Sequence, residues 1–343
     1  MSRSVSSLPK AHLHLHFTGS MRVETVQDLA RLHGLRLPDA LTTGWPPQLS
    51  GRDERGWFRF QRLYDAARAC VRAADDLRRI VREAAQDDAS EGSRWLELQV
   101  DPTSYAPFVG GITPALEIVL DEARSVSAQG GIQVAVIVAA NRVRHPLDAR
   151  TLARLASRYA GDGPGDVVGF GLSNDERRGV TQEFAPAFEI ARRAGLALVP
   201  HAGELLGPAA VEATVEAINP DRLGHGVRCV EDPRVLDLVA RSGIALEVCP
   251  LSNVALGVYG SAAQVPLRGI VERGIPVALG ADDPLLFGSR LVDQYEAARD
   301  ALGFDDAELA ELARGSFRAS RAPTGLVKQA LADIDAWLAA PPG

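Results

Sequence analysis

The chain has 343 residues, of which 46% are hydrophobic and 24% charged, and its formal net charge at pH 7 is -7. An acidic chain of ordinary composition has no general attraction for nucleic acid or an anionic membrane, so neither is expected as a partner. Barrels of this length are commonly single domains, and we expect one domain over residues 1–343. The oligomeric state stays open, a homo-oligomer included.

Two features bear on the cellular compartment. The first ten residues contain no apolar signal segment, and no apolar run approaches the roughly 20 residues that a membrane-spanning helix needs. The three cysteines, Cys70, Cys229 and Cys249, lack metal-binding spacing and are odd in number, which favours reduced, buried thiols. We therefore expect a cytoplasmic protein.

Strand-like apolar runs alternate with amphipathic helical segments along the chain, which is the pattern of repeated βαβ units. Eight such runs occur, the number that a closed (β/α)8 barrel requires. They cover residues 12–17, 95–100, 132–140, 166–172, 196–202, 222–227, 244–250 and 275–281. The predicted fold is therefore an α/β protein, a (β/α)8 TIM barrel.

The connection after the first strand, about 75 residues, is unusually long and contains more than one helical pattern. This predicts a helical insertion over about residues 21–90, which should cover one end of the barrel. Two further helical segments after residue 290 should pack outside the barrel at the C-terminus.

Three histidines occupy alternate positions in the first strand, in the stretch KAHLHLHFTGS (10–20). Residues two apart in a strand point to the same face, so His12, His14 and His16 should converge. Any one of them has an alternative interpretation as a hydrogen-bonded histidine of the core or rim. Two imidazoles on one face of a buried strand, however, favour a shared cation.

Further polar residues follow other strands, at the end of the barrel where this fold builds its active sites. His201 ends the fifth strand, His225 ends the sixth, and Asp282 and Asp283 end the eighth. Histidines and a carboxylate together form a nitrogen and oxygen set suited to Zn²⁺, although Fe²⁺ or Co²⁺ accept the same ligands. The pattern predicts one metal ion per chain.

Five stretches, in order along nearly the whole chain, resemble motifs of the adenosine deaminase family of metal-dependent hydrolases. This resemblance implies hydrolytic deamination of a 6-aminopurine, with His14, His16, His201 and Asp282 as zinc ligands and His12 in a structural position. The stretches are PKAHLHLHFTGS (9–20), HAGE (201–204), RLGHGVR (222–228), EVCPLSN (247–253) and GADDPLLF (280–287).

The resemblance also implies three catalytic roles. Glu204 would protonate ring nitrogen N1 as water attacks C6, a step that needs a carboxylic acid kept neutral until it is used. His225 would orient the water and stabilise the developing oxyanion, and Asp283 would hydrogen-bond the imidazole side of the purine. Glu204 has an alternative interpretation as an acidic residue at the start of a helix.

The chain departs from the family's adenosine-specific pattern HxHxDG, whose aspartate contacts the ribose 5′ hydroxyl. Thr18 stands at that position, which relieves repulsion against an anionic 5′ group. Asn174 stands where the family has a glycine whose amide meets purine N3. Arg177 is suited to bind an anion and Phe60 a flat ring, although a solvated basic surface over core aromatics explains both equally well.

These departures favour a small-molecule substrate that is an adenine nucleoside modified at its 5′ position. One such nucleoside is 6-amino-6-deoxyfutalosine, an intermediate of bacterial menaquinone synthesis. Adenosine or 2′-deoxyadenosine is the close alternative, and free adenine is a more distant one. A non-catalytic metal-binding barrel is the alternative from another class, but it would not need Glu204, His225 or Asp283.

Overall fold

The computed structural model describes residues 3–341, and its centre is a single sheet of eight parallel strands. The strands lie side by side in the order in which they occur along the chain. They are β1 (Lys10–His16), β2 (Ser93–Val100), β3 (Gln133–Asn141), β4 (Val167–Ser173), β5 (Ala197–Ala202), β6 (Arg222–His225), β7 (Ala245–Val248) and β8 (Val277–Leu279). All eight predicted strands are present, with bounds shifted by a few residues.

The sheet closes into a barrel where the end of β8 meets β1. The His16 N–H donates to the Asp282 carbonyl oxygen (3.0 Å), and the Asp282 N–H donates to the His14 carbonyl oxygen (3.0 Å). The predicted TIM barrel is therefore confirmed. The same two hydrogen bonds hold Asp282 against the histidines of β1.

Fifteen α-helices lie within residues 3–341, and most of them connect one strand to the next. Three helices lie between β1 and β2, as the long first connection predicts, and four follow β8. In chain order they are α1 (Val23–Leu32), α2 (Glu54–Arg68), α3 (Ala74–Ser90), α4 (Ala106–Val109), α5 (Ile112–Ala128), α6 (Pro146–Arg158), α7 (Thr181–Arg193), α8 (Pro208–Ile218), α9 (Pro233–Ser242), α10 (Pro250–Ala255), α11 (Leu267–Glu272), α12 (Pro284–Phe287), α13 (Leu291–Leu302), α14 (Asp306–Ala319) and α15 (Thr324–Ala339).

The C-terminal region contains one helix more than the sequence pattern predicts, because α13, α14 and α15 all follow residue 290. Gly303 ends α13 with a φ of 69°, a left-handed conformation that glycine adopts without steric cost. The Asp305 side chain then accepts a hydrogen bond from the Glu308 N–H at the start of α14. This short turn separates two helices that the apolar pattern does not separate.

The alternation of side chains along β2 shows how the barrel sorts its residues. Leu96, Leu98 and Val100 are buried in a hydrophobic cluster with the surrounding helices. Glu97 instead contacts Arg222 of β6 across the barrel, and Gln99 lines the cavity at its mouth. The interior of this barrel is therefore partly polar, and its polar residues lead toward the C-terminal ends of the strands.

Two further observations concern the helices and the cysteines. No helix between residues 3 and 341 combines the length and the apolar character of a membrane span. Cys70, Cys229 and Cys249 are buried free thiols, as the sequence predicts. Burial raises the pKa of Cys70 to about 11 and that of Cys229 to about 12, so little reactive thiolate is present at neutral pH.

Lys10 connects the first residue of β1 to the loops below the barrel. Its ammonium group is buried and donates to the carbonyl oxygens of Val5 (2.6 Å), Leu8 (2.7 Å) and Glu91 (2.5 Å). Burial lowers the pKa of Lys10 to about 7, and in its protonated form the ammonium group carries three donors that satisfy all three carbonyls at once. The Lys10 ammonium group therefore replaces the hydrogen bonds to water that these carbonyl groups lose on folding.

We expect Lys10→Met to lower the free energy of unfolding by about 3 kcal/mol, because the three buried carbonyls lose their donor. Lys328→Met, at an exposed position of α15, is the matched control and should change it by less than about 0.5 kcal/mol. Urea denaturation followed by circular dichroism measures both variants. Equal stability of the two variants would contradict this role of Lys10.

Candidate active site

Three histidines and an aspartate converge at the C-terminal ends of the strands. His14 and His16 belong to β1, His201 belongs to β5, and Asp282 follows β8. The Asp282 Oδ1 atom lies 3.2 Å from His16 Nε2 and 3.5 Å from His14 Nε2. The Nε2 atoms of His16 and His201 are 3.2 Å apart. The structure thus brings together the four residues that the sequence assigns to a metal.

The spacing of these four side chains fits a tetrahedral cation. Ligand atoms at about 2.1 Å from a tetrahedral Zn²⁺ ion lie about 3.4 Å from one another. The buried His14 Nε2 has no hydrogen-bond partner among the residues described. Two neutral imidazoles facing each other through Nε2, as His16 and His201 do, can share only one proton, whereas a common cation satisfies both. Nitrogen and oxygen donors of this kind suit Zn²⁺.

Glu247, at the end of β7, orients His14. Its Oε2 accepts a hydrogen bond from His14 Nδ1 (2.7 Å), which leaves His14 Nε2 available to a metal. Its Oε1 accepts from Arg222 Nε (2.6 Å), and Arg222 also pairs with Glu97. Burial raises the pKa of Glu247, but Arg222 and His14 outweigh this effect and hold it below the usual value. Glu247 therefore stays ionised.

His12 points away from the cluster, although the alternation of histidines in β1 predicts that all three converge. Its Nδ1 lies 2.9 Å from Asp88 Oδ2 on α3, and its Nε2 accepts a hydrogen bond from the Ala281 N–H (3.0 Å). The pairing of β1 with β2 is irregular between His12 and Leu15, and this irregularity interrupts the two-residue alternation. His12 thus connects β1 to its neighbours.

Glu204 and His225 lie beside the cluster. The His225 Nε2 atom is 3.6 Å from Glu204 Oε1 and 4.0 Å from Asp282 Oδ2. Burial raises the pKa of Glu204 well above its usual value, and the negative charge of Asp282 adds to this shift. Burial lowers the pKa of His225 to about 3. A neutral carboxylic acid therefore lies next to a neutral imidazole, which is suited to proton transfer at neutral pH.

Glu176 holds the turn that carries Glu204. Its carboxylate accepts hydrogen bonds from the backbone N–H groups of Glu204 (3.1 Å), Leu205 (3.1 Å) and Leu206 (2.8 Å). Glu176 belongs to the stretch SNDE (173–176), in which the sequence singles out Asn174 alone. Its position directly after β4, at the catalytic end of the barrel, is the signal that was available for finding it.

Asp283 faces the cavity above the cluster. Its buried Oδ1 has no hydrogen-bond partner among residues 3–341, so it is free to bind a ligand. Burial raises the pKa of Asp283 well above its usual value, and Asp282 adds to the shift. A Cβ atom at Gly19 would lie only 1.8 Å from Asp283 Oδ1, so the loop after β1 requires glycine at this position.

Backbone strain is concentrated at this site. His225 has a φ of 64°, Asp282 has 62° and Asn174 has 82°, and only Asn219 among the other described non-glycine residues also has a positive φ. A non-glycine residue in this conformation costs about 1 to 3 kcal/mol. The surrounding barrel maintains these conformations, and they direct the side chains of His225 and Asp282 into the cavity.

The predicted substrate residues are brought together only in part. Arg177 is not among the residues that line the cavity, and its Nε donates to Asp175 (2.7 Å). Its guanidinium lies 5.9 Å from the centroid of the Trp57 ring, which does line the cavity. The predicted residues that line the cavity are Thr18, Phe60, Asn174 and Asp283.

Further residues that line the cavity are absent from the sequence prediction, and they include Tyr64, Arg68, Gln99, Asp101 and Tyr105. Phe60, Tyr64 and Arg68 follow one another at intervals of four in α2, so they share one face of that helix. This spacing was the available signal for Tyr64 and Arg68. No local pattern distinguishes Gln99 or Tyr105, which reach the cavity through the arrangement of the barrel.

Comparisons with known proteins identify the family. A sequence profile described as adenosine deaminase matches residues 9–337. The chain belongs to the adenosine deaminase family. It is therefore a hydrolase that acts on the amine of a purine, built on the barrel of the metal-dependent amidohydrolases.

Three relatives define the range of this similarity. A Streptomyces virginiae protein, whose name assigns it provisionally as an adenosine/adenine deaminase, is 60% identical over 337 residues, which are 98% of either chain. Adenine deaminase from Arthrobacter aurescens has a TM-score of 0.88 at 27% identity, over 97% of this chain and 99% of that one. The N6-methyl-AMP deaminase from Arabidopsis thaliana has a TM-score of 0.83 at 26% identity, over 97% of each chain.

We expect Glu247→Gln to weaken metal binding by about 10- to 100-fold, because the neutral amide no longer holds His14 by a charge-assisted hydrogen bond. Competition with a chromophoric zinc chelator measures the affinity. Glu97→Gln is the matched control, since Glu97 pairs with the same arginine but does not contact His14. Both substitutions should lower the melting temperature, and equal loss of metal affinity in the two variants would refute a specific role for Glu247.

Proposed function

We propose that this enzyme uses zinc to deaminate an adenine nucleoside that carries an extended, anionic group at its 5′ position. Water and the 6-amino group are converted into a C6 carbonyl and ammonia. A nucleoside of this kind is 6-amino-6-deoxyfutalosine, whose 5′ side carries a benzoate, and its deamination would place the enzyme in menaquinone synthesis. The observation that carries this proposal is the neutral Thr18 side chain in the wall of the cavity, with the cationic side chain of Arg68 in the same wall.

His14, His16, His201 and Asp282 would hold the zinc ion. When bound, zinc would lower the pKa of a water molecule to about 7 and so supply a hydroxide nucleophile at neutral pH. The four side chains also fix where the amine-bearing carbon C6 must lie. Because they come from β1, β5 and the end of β8, the reacting edge of the purine faces this side of the cavity.

Glu204 and His225 would move the protons. Glu204 is buried and neutral, so it can donate its proton to purine N1 while charge develops on the ring. The Asn253 amide lies 3.4 Å from His225 Nδ1, and a hydrogen bond there leaves the Nε2–H of His225 directed at the attacking oxygen. Asp283, whose raised pKa keeps it protonated, would donate a hydrogen bond to N7 at the imidazole side of the purine.

The wall around Thr18 supports the choice of the 5′ group. The Thr18 hydroxyl is 2.6 Å from the Tyr105 hydroxyl, and both side chains are buried. Arg68 lies behind them, with its guanidinium 5.6 Å from the centroid of the Tyr64 ring. Its ion-pair partner Asp65 is about half exposed, and Asp101, which lines the same cavity, is a second carboxylate that acts on the charge of Arg68. With Thr18 in place of the aspartate of the adenosine pattern, this wall carries one negative charge fewer, so it repels an anionic 5′ group less.

The comparisons support two readings of the substrate. The Arabidopsis relative is an N6-methyl-AMP deaminase, so a related barrel acts on a purine that carries a 5′ phosphate. The Arthrobacter relative is an adenine deaminase, and the Streptomyces relative is provisionally named for adenosine and adenine together. Free adenine is therefore the second candidate substrate. Adenosine is intermediate between the two candidates, because it has the sugar but not the 5′ extension.

A direct comparison of substrates tests the proposal. The zinc-loaded enzyme is assayed for ammonia release on 6-amino-6-deoxyfutalosine, adenosine and adenine, and the kcat/KM values are compared. We expect the 5′-extended nucleoside to exceed adenosine by about tenfold or more, which is about 1.4 kcal/mol in transition-state binding. A higher kcat/KM for adenosine or for adenine would overturn the proposed 5′ preference.

We expect Glu204→Gln to lower kcat by at least about 100-fold, because the amide cannot donate a proton to N1. Zinc content and melting temperature should stay close to those of the wild type. Glu216→Gln, at an exposed position of α8, is the matched control and should retain full activity. Unchanged turnover in Glu204→Gln would refute its assignment as the acid.

We expect Arg68→Met to lower kcat/KM for the anionic nucleoside by about tenfold, with little change for adenosine, because only the anionic substrate loses an electrostatic contact. Thr18→Asp should likewise lower kcat/KM for the anionic nucleoside relative to that for adenosine. Arg62→Met is the control on the same helix, since Arg62 is exposed and does not line the cavity. Equal losses on both substrates would mean that Arg68 supports the fold of α2 rather than specificity.

A further inference from the structure

Gln99 is a buried carboxamide whose hydrogen-bonding capacity is unused. Its side chain is 2% exposed and lines the cavity from the C-terminal end of β2. Neither its Oε1 nor its Nε2 has a hydrogen-bond partner within residues 3–341. Each buried polar group without a partner costs about 1 to 3 kcal/mol. Such a group in a binding cavity indicates that a ligand completes its hydrogen bonds.

Glu97, two residues earlier on the same inward face of β2, shows the contrast. Its Oε1 accepts hydrogen bonds from Trp95 Nε1 (2.9 Å) and from the Arg321 N–H (2.6 Å), and its Oε2 pairs with Arg222. The interior of the barrel is therefore able to satisfy a polar residue of β2. The Gln99 carboxamide lacks such hydrogen-bond partners because its side chain faces the cavity.

The wall beside Gln99 has room for a ligand. Gln99 pairs with Ile137 of β3, and Ala139, two residues further along that strand, lines the cavity with only a methyl group. Gly171 of β4 pairs with Ala139. A Cβ atom at Gly171 would lie 3.2 Å from the Val199 carbonyl oxygen and 3.5 Å from the Ala139 Cβ atom, so Gly171 packs closely between its neighbours while Ala139 lines the cavity. Asn141 and Ser173, paired at the ends of the same strands, add polar groups to this wall.

The position of the reacting groups decides which part of the substrate meets this wall. Glu204 follows β5, His225 ends β6 and Asp282 follows β8, so the C6 and N1 atoms of a purine are held on that side. The N9 atom, which carries the sugar of a nucleoside, lies across the ring from C6. A sugar therefore extends toward β2, β3 and β4, where Gln99 lies.

We propose that Gln99 is a specificity residue that hydrogen-bonds a sugar hydroxyl group of the nucleoside. The carboxamide offers an acceptor at Oε1 and donors at Nε2, and a hydroxyl group both donates and accepts. This inference rests on the proposed nucleoside substrate, since free adenine has no sugar. It does not depend on the charge of the 5′ group, so uncharged nucleosides are sufficient to test it.

The test compares Gln99→Met with the wild type on adenosine, 2′-deoxyadenosine, 3′-deoxyadenosine and adenine. We expect Gln99→Met to lower kcat/KM for adenosine by about tenfold, the effect of losing one buried hydrogen bond. The loss should be absent for at least one of the two deoxynucleosides, which lacks the bonded hydroxyl. Adenine should be affected by less than about threefold.

Gln133→Met is the matched control. Gln133 also has an unpartnered Oε1, but it lies at the first residue of β3, at the opposite end of the barrel, and should leave all four kcat/KM values unchanged. Should Gln99→Met fail to fold, the wild type alone must still deaminate adenosine about tenfold more efficiently than one deoxynucleoside. Gln99→Glu, which keeps the shape and an acceptor, provides the second variant.

The outcomes separate this inference from the proposed function. Equal losses on every substrate would assign Gln99 a structural role, and a loss on adenine would assign it to the base, so either result overturns the sugar contact. No loss on any substrate overturns it as well. A preference for adenosine over the 5′-extended nucleoside, with the selective loss in Gln99→Met retained, would overturn only the 5′ preference. A wild type that is inactive on nucleosides would overturn both.

Discussion

The approach of Asp282 to the histidines of β1 is the interaction on which the rest of the structure depends. The two backbone hydrogen bonds that close the barrel join Asp282 to His14 and His16, and the carboxylate of the same residue faces their Nε2 atoms. Closure of the barrel and assembly of the metal ligands are therefore one event. Buried charges and imidazoles at this density are costly unless a cation shares them, so a bound metal should stabilise the closed barrel as well as the reaction.

A chain of buried charged side chains runs from the contact between β1 and Asp282 into the barrel. His14 contacts Glu247, Glu247 pairs with Arg222, and Arg222 pairs with Glu97 on the opposite side of the interior. The single arginine lies between two buried carboxylates and pairs with both of them. This arrangement fixes which nitrogen of His14 faces the metal position. It also explains why the interior of the barrel is polar at a depth where aliphatic residues are usual.

The cavity above the cluster has two chemically different sides. Glu204, His225 and Asp283 lie with the metal ligands and carry raised or lowered pKa values, which is typical of groups that transfer protons. Gln99 and the Thr18 hydroxyl belong to the other side, which offers neutral hydrogen-bonding groups with Arg68 behind them. The first side is suited to the reaction at C6. In our proposal the second side distinguishes a base from a nucleoside, and a neutral 5′ group from an anionic one.

The sequence by itself determined the barrel and the polar residues that meet at its rim. Alternating apolar patterns predict eight strands, and short motifs at strand ends contain His14, His16, His201, Asp282, Glu204 and His225, because strand order brings all C-terminal ends to one rim. Only the tertiary structure decided which residues line the cavity around Thr18 and Gln99. Thr18 meets Tyr105 across 87 positions of the chain, and Arg222 meets Glu97 across 125, so no local pattern records these contacts. It also placed Arg177 outside the cavity, since pairing with Asp175 is a matter of loop conformation, and a sequence pattern does not specify that conformation.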